Sequence, residues 1–266
     1  MTFLTSFVDG YDLRARLIPA LLVIVPVPVT VVCLASTPSK VATSVLSILV
    51  ASGASFALSR VARNAGKRVE PSLFRRWGGA PTTQLLRHAN STIDPITKAR
   101  YHTVLSKGIG QAMPSVAEER GDQHAADRIY SAAVIWLIGR TRDAKRFPLV
   151  FKENVSYGFH RNAFGMRPLG IVVSIAAVLA TLLVAGVLRF TQPLILPPDA
   201  QAVTVERLIS LAVALTMVAA WGVVFREGSV KSAAFAYGIR LLEACDNLAS
   251  SHPVTSKPGK GTRKAR

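Results

Sequence analysis

The sequence predicts an all-α membrane protein: four transmembrane helices, arranged as two hairpins, flank a mainly helical cytoplasmic domain. Three observations predict it. Half of the 266 residues are hydrophobic and the mean hydropathy is +0.35, yet the formal charge is +17, so apolar and basic residues must be segregated along the chain. Four runs, residues 17–35, 41–58, 169–188 and 208–225, contain no charged residue. At about 1.5 Å per residue each spans roughly the 30 Å of a bilayer interior. The basic residues, finally, fall almost entirely outside these runs and the short loops that join them. One such run fits the core of a soluble protein; four in two closely spaced pairs do not.

Taken in order, residues 1–16 form a short amphipathic lead, with Phe3, Leu4, Phe7, Val8 and Tyr11 at helical spacing for a place at the interface. The first span, within hairpin 17–58, carries Pro19, Pro26 and Pro28. The last two sit mid-span, where each removes a backbone donor and breaks the helix. In the second span Ser44, Ser47, Ala51 and Ser55 share one face. Ser174, Ala177, Thr181 and Ala185 repeat the theme in the third, and Ala212, Thr216, Ala219 and Ala220 in the fourth. Small hydroxyl residues allow close helix packing or line a polar path, and both uses stay open here. No charge lies inside a span, which removes the basis for a proton relay, ion-coupled transport or a voltage sensor.

Residues 59–168 form the basic cytoplasmic domain. A helix is expected over 124–142, with Ile129, Ala133, Trp136 and Leu137 on its core face; its apolar octet at 132–139 is too short to span. The second hairpin occupies 169–225, a cytoplasmic helix 226–247, and a disordered basic tail 248–266, whose Lys257, Lys260, Arg263, Lys264 and Arg266 are drawn to anionic lipid heads.

Orientation follows the basic residues. Arg14 and Arg16 precede the first span, nineteen Lys and Arg lie within 59–168 and eight follow Phe225, leaving Lys40, Arg189 and Arg207 for the two connecting loops. The positive-inside rule places both termini and the central segment in the cytoplasm of a bacterial inner membrane. Arg14, Arg16 and the stretch up to Cys33 and Ser36 also resemble a signal peptide. Cleavage would put Arg60, Arg63, Lys67 and Arg68 on the wrong side, so an uncleaved hairpin is expected. Cys33 in a span and Cys245 near the C-terminal end imply neither a disulfide nor a metal site.

The richest segment runs from Arg75 to His102, RRWGGAPTTQLLRHANSTIDPITKARYH. Trp77 beside Gly78 and Gly79 offers a stacking surface next to backbone amides, and Thr82, Thr83, Arg87, His88, Lys98, Arg100 and His102 supply donors. That mixture suits a nucleotide or oligonucleotide. The alternative is a Gly-Gly turn, a Thr cap for the helix carrying Leu85 and Leu86, and a solvated basic face. Before the third span, Tyr157, Phe159, His160, Arg161 and Arg167 mix aromatics with cations as a membrane-junction belt, which serves anchoring or passes a movement into the span.

These two stretches, WGGAPTTQLLRH and KENVSYGFHRNAFGMRPLG from Lys152 to Gly170, resemble a family of bacterial inner-membrane proteins with no assigned activity and a WGGxPTTxLLRH signature. In plan, two hairpins around a cytoplasmic sensor, the chain is also similar to four-span antiphage effectors, a likeness of topology.

Acid-base groups are present at His88, His102, His124, His160, Asp94, Asp122 and Asp127, but none falls at a metal-ligand spacing, and no Ser or Cys sits in a nucleophile motif. No enzyme, catalytic residue, metal or cofactor is expected. Two functions remain. The first is an oligomeric pore-forming or membrane-disrupting effector gated by an anionic, nucleotide-like ligand; four short spans are too few for a monomeric pore, so it requires a homo-oligomer. The second is a non-conducting anchor that recruits a cytoplasmic protein or nucleic-acid partner through its basic domain. For both the lipid bilayer is the first partner.

Overall fold

The computed structural model describes residues 13–35, 40–188 and 204–250, and every regular element among them is a helix. Residues 1–12 of the amphipathic lead, the short connections at 36–39 and 189–203 and the tail from 251 onward lie outside the described residues. Four helical stretches are long and apolar enough to cross a membrane: Leu13–Leu34, the apolar part of Leu46–Leu86, that of Pro148–Val184, and Val205–Val223. This accords with a multi-pass membrane protein.

A π-helical turn, Leu13–Leu17, opens into α1 (Ile18–Ile24) and α2 (Pro26–Leu34). Pro19 explains the wide first turn, because its ring crowds the carbonyl one turn back and it has no N–H to give. Where Pro26 and Pro28 predict a break, the chain only passes from α1 to α2 at Val25, which keeps helical angles (φ −43°, ψ −44°) and still donates to Leu21 O at 2.9 Å, so the helical path runs on to Leu34. There follow α3 (Lys40–Trp77), α4 (Pro81–Leu86), α5 (Pro95–Ile109), α6 (Val116–Gly121), α7 (Gln123–Arg140), α8 (Pro148–Val184), α9 (Val205–Val223) and α10 (Glu227–Ser250).

Two compact units result: Met1–Pro81 with Phe151–Tyr237, and Thr82–Val150 with Gly238–Arg266. The division falls at Pro81 and Val150, inside the expected 59–168 domain. α3 and α8 run on unbroken past their apolar stretches, with the rings of Pro71 and Pro168 turned outward.

In the first unit the apolar stretches are inverted relative to a soluble bundle. Leu46, Ile48, Leu49, Val50 and Phe56 of α3 are 60 to 64 % exposed, whereas Thr30, Ser174, Thr181 and Ser210 are buried. Outward Leu and Ile cost nothing when the surrounding medium is hydrocarbon, and inward hydroxyls then find partners on other helices. Val23, Ala62, Ala163, Met166, Trp221 and Phe225 form a core at the ends of the apolar stretches. Beyond it Leu73, Tyr157, Val230, Ala233 and Ala234 continue the packing of α3, α8 and α10.

α3 and α8 cross at two glycines. A Cβ on Gly165 would stand 2.5 Å from Ala65 C and 2.6 Å from Gly66 N, and one on Gly66 would meet Asn162 Oδ1 at 2.1 Å. At the same level Asn162 Nδ2 donates to Ala15 O at 2.7 Å, tying the π turn to α8.

The second unit is built on caps the sequence spells out. Asp94 accepts from the N–H groups of Ile96 and Thr97 at the start of α5, and Pro95 follows it; Gly110, at φ 68°, closes that helix. Ser115 and Glu118 make a capping box for α6, and Asp122 caps α7. α7 is the expected core helix, starting one residue earlier and stopping two earlier than the apolar pattern indicated: Ala133 and Leu137 are buried, Ile129 and Trp136 half-buried. The Trp136 indole lies over Gly108, so α5 and α7 pack closely.

Candidate functional site

The Trp77-to-His102 stretch is divided between the two units. Trp77, Gly78 and Gly79 belong to the first unit, and Thr82, Thr83, Arg87, His88, Lys98, Arg100 and His102 to the second. Trp77 Nε1 donates to Glu227 Oε1 at 2.8 Å and Arg76 pairs with the same carboxylate at 2.9 Å, so the indole edge is engaged at the start of α10. Gly78 (φ 84°) and Gly79 (φ 130°) turn the chain out of α3, with Gly79 N–H on Phe74 O at 2.8 Å. A positive φ at both positions is what requires glycine there.

In the second unit the same donors mostly build the fold. Lys98 is 4 % exposed and its ammonium donates to Arg87 O at 2.6 Å and to Asn90 O. His102, equally inward, has Nε2 2.9 Å from Leu86 O, which fixes that nitrogen as the donor. Burial holds the imidazole pKa below its ordinary range, opposed by that bond. Thr83 Oγ1 lies 3.4 Å from Ser131 Oγ, His88 Nε2 is 2.8 Å from Pro114 O, and Arg87 grips Asp127 through two bonds of 2.9 and 2.6 Å. Arg100 pairs with Asp246 at 3.1 Å. Thr82 lies in the first turn of α4, which starts at Pro81, so the expected Thr cap is replaced by proline at the first position.

The hub of this polar core is Glu119, which sequence reading missed. Its Oε2 accepts from Tyr130 Oη at 2.6 Å and His88 N–H at 2.9 Å, and its Oε1 from Ala89 N–H at 3.3 Å. Burial raises the carboxyl pKa, but these three bonds prevail and hold it below the usual range. Burial pushes the Tyr130 hydroxyl up in turn. His88 and His102 meet edge to face at 5.1 Å. Among the described residues no group of three or more His, Cys, Asp and Glu stands where it could hold a metal.

Of the expected span hydroxyls, Ser174 donates to Gly170 O at 2.7 Å and Thr181 to Ala177 O at 2.8 Å, back-bonds within α8. Thr181 Oγ1 also lies 2.8 Å from Ser210 Oγ of α9, which donates to Thr30 Oγ1 of α2 at 3.0 Å, so the one hydroxyl hydrogen of Thr181 is shared between Ala177 O and Ser210. Three helices are thereby joined by hydroxyls, and Ser210 and Thr30 had no sequence signal beyond their polarity. Ser44 and Ser47 are half-buried and Thr216 is exposed; the side chain of Ser55 lies outside the described residues.

The junction belt turns inward. Tyr157 Oη donates to Glu70 Oε1 at 2.5 Å and Arg161 pairs with that oxygen at 3.1 Å, while Arg161 sits 5.4 Å above the Tyr157 ring. Burial, then the adjacent carboxylate, pushes the Tyr157 hydroxyl pKa up. Tyr157 stacks on Tyr237 at 6.1 Å, Phe159 meets Phe225 edge-on, and Arg167 donates to Gly222 O at 3.2 Å. Tyr157, Phe159, Arg161 and Arg167 therefore join α3, the end of α9 and α10 to α8.

His160 differs, because it faces an open cleft of about 680 Å³ within the first unit. One wall is α8, with Glu153, Ser156 and His160 at positions i, i+3 and i+7; the other is Arg226 and the first turns of α10, with Gly228, Ser229 and Ser232. His160 Nδ1 lies 2.9 Å from Ser156 O, so Nδ1 carries a proton and Nε2 is left facing the cleft. Ser229 Oγ donates to Val224 O at 2.9 Å.

No family model, no curated protein and no solved structure matches this chain.

The chemistry of the cleft is polar recognition. It holds a carboxylate, an imidazole, hydroxyls and a guanidinium within reach of water.

Proposed function

We propose that the protein is a multi-pass protein of the bacterial inner membrane, with both termini in the cytoplasm, whose spans form a closed, non-conducting anchor presenting a basic helical surface to a protein or nucleic-acid partner. The observation that carries this reading is the hydroxyl junction of Thr30, Ser210 and Thr181. An aqueous path needs polar groups along its wall. Here Thr30, Ser210 and Thr181 are bonded helix to helix inside the bundle, and large Leu, Ile, Val and Phe side chains stand on its outer surface.

The recruiting surface is argued from charge. Arg60, Arg63, Lys67 and Arg68 are exposed on α3, no acidic residue falls among them, and the next one, Glu70, is turned to Tyr157 and Arg161. Such a ladder attracts polyanions with an affinity that falls as salt rises.

Proteoliposomes carrying the full chain test the reading. They are expected to hold a potassium gradient with and without added nucleotides, while retaining an acidic or nucleic-acid partner in a salt-dependent way; ion release triggered by a nucleotide overturns it. In spheroplasts the region around Trp77 is expected to resist added protease and the protein to stay in the membrane through an alkaline wash.

One observation favours the oligomeric, ligand-gated effector as a second reading. The apolar part of α3 leaves Leu46, Ile48, Leu49, Val50 and Phe56 uncovered, a surface that a second copy would cover. A protein that stays monomeric in lipid removes it.

A further inference from the structure

The cleft between α8 and the start of α10 presents an acceptor wall to a donor wall. On α8 the groups are the Glu153 carboxylate, the Ser156 hydroxyl and the Nε2 lone pair of His160, whose Nδ1 proton is given to Ser156 O. Opposite stand the Arg226 guanidinium, the Ser232 hydroxyl and the first turn of α10 at Gly228, where a Cβ would meet nothing within 4 Å. Of the first N–H groups of α10, those of Ser229 and Val230 are taken by Arg226 O at 3.1 and 3.4 Å, which leaves those of Glu227 and Gly228 without a described carbonyl. Glu153 and Arg226 line one cavity, carry opposite charges and make no ion pair with each other or with any other described residue. Elsewhere in the unit such charges do pair, as Arg161 does with Glu70 and Arg76 with Glu227. A cleft that holds this pair apart, where Glu70 and Glu227 of the same unit are closed onto arginines, leaves room for a ligand bearing both charges.

We infer that this cleft binds a phosphorylated amine, its phosphate on Arg226, Ser232 and the first turn of α10, and its ammonium on Glu153 and His160. Phosphate accepts from a guanidinium and from helix N–H groups, and an ammonium, which only donates, needs the carboxylate and the imidazole lone pair. The same chemistry is carried by a free phosphoamine and by the headgroup of an aminophospholipid. Arg226 follows α9, the last apolar helix, by three residues, so a headgroup reaches the cleft from the bilayer edge and a free molecule from water. The inference does not depend on whether the spans conduct or on what the basic surface of α3 recruits.

The test uses the full chain in nanodiscs of phosphatidylglycerol alone, titrated with O-phosphoethanolamine, inorganic phosphate and ethanolamine, with binding read by calorimetry. O-phosphoethanolamine is expected to bind roughly tenfold or more tightly than either half-molecule, the scale of one added charge-assisted contact. Glu153→Gln is expected to reduce it to the level of phosphate, and Arg226→Ala to weaken phosphate and O-phosphoethanolamine alike. Because neither side chain has an ion-pair partner among the described residues, the melting temperature of both variants is expected to match the parent, and Arg120→Ala in the second unit to bind as the parent does. A lipid source is read separately, as phosphatidylethanolamine retained through detergent exchange by the parent and lost by Glu153→Gln. Equal affinity for the three probes, variants that bind like the parent, or absence of both soluble binding and retained phosphatidylethanolamine each overturns the inference.

Discussion

Replacing Gly165 by alanine places a methyl group where α3 and α8 have none to spare. Its Cβ would stand 2.5 Å from Ala65 C, 2.6 Å from Gly66 N and 2.8 Å from Ala65 O, and all three are backbone atoms that no rotamer change can move. Ordinary carbon contacts begin near 3.4 Å, so the two helices must separate by about 1 Å along the whole crossing. Overpacking of this kind costs about 1–3 kcal/mol. The displacement also strains the neighbouring bond from Asn162 to Ala15 O, worth about 1 kcal/mol. The sum is about 2–4 kcal/mol, and roughly 4–16 °C in melting temperature for a chain of this size. Gly53→Ala is the internal control: its Cβ meets nothing within 4 Å, and in a helix interior the change is neutral or stabilising by up to about 1 kcal/mol. Circular dichroism melts of the parent and both variants in one detergent decide the matter. If Gly165→Ala melts with Gly53→Ala, the close crossing at these glycines is wrong.

Other outcomes follow from the same geometry. Acid is expected to loosen the second unit in two steps. Burial favours neutral His102, so its contribution is present above the ordinary value of 6.5 and lost as pH falls below it; bonded Glu119 contributes above 4.5 and fails as pH drops further. Melts across that range check this, and a His102→Gln variant should lose only the upper step. Thr181→Val removes the hydroxyl between α8 and α9 at a cost of about 0.6 kcal/mol, at most about 1.7, measured by denaturant titration in mixed micelles. Lys98→Met leaves Arg87 O and Asn90 O without their donor, costing about 1–3 kcal/mol and speeding amide exchange in the turn at 87–90. Cys245 is buried, which pushes its thiol up to about 12, so in a Cys33→Ser background it is expected to react with maleimide only after unfolding.

The apolar stretches were legible because an uninterrupted uncharged run of that length has few other physical uses. The Asp94 and Gly110 caps and the Gly78 and Gly79 turn were local: each depends on one residue type and one backbone angle. What the sequence concealed was pairing at a distance. Nothing separates Glu119 from its neighbour Glu118, yet one is an exposed cap and the other the centre of a buried network. Lys98 reads as a solvated cation in a basic segment until the carbonyls of Arg87 and Asn90 are folded over it. Ser210 and Thr30 are 180 residues apart and meet only in three dimensions. The two walls of the cleft come from Glu153 and Arg226, whose shared isolation appears only once α8 and α10 are packed.

The length of α3 has a mechanical side. Its 38 residues measure about 57 Å, of which a bilayer interior takes about 30 Å. The remainder is a lever arm of about 27 Å held against α8 at a fulcrum of two glycines. From Gly66 to Trp77 is about 16 Å of helix, so a tilt of about 5° at that fulcrum would swing the Trp77 end by about 1.4 Å without any loop having to move.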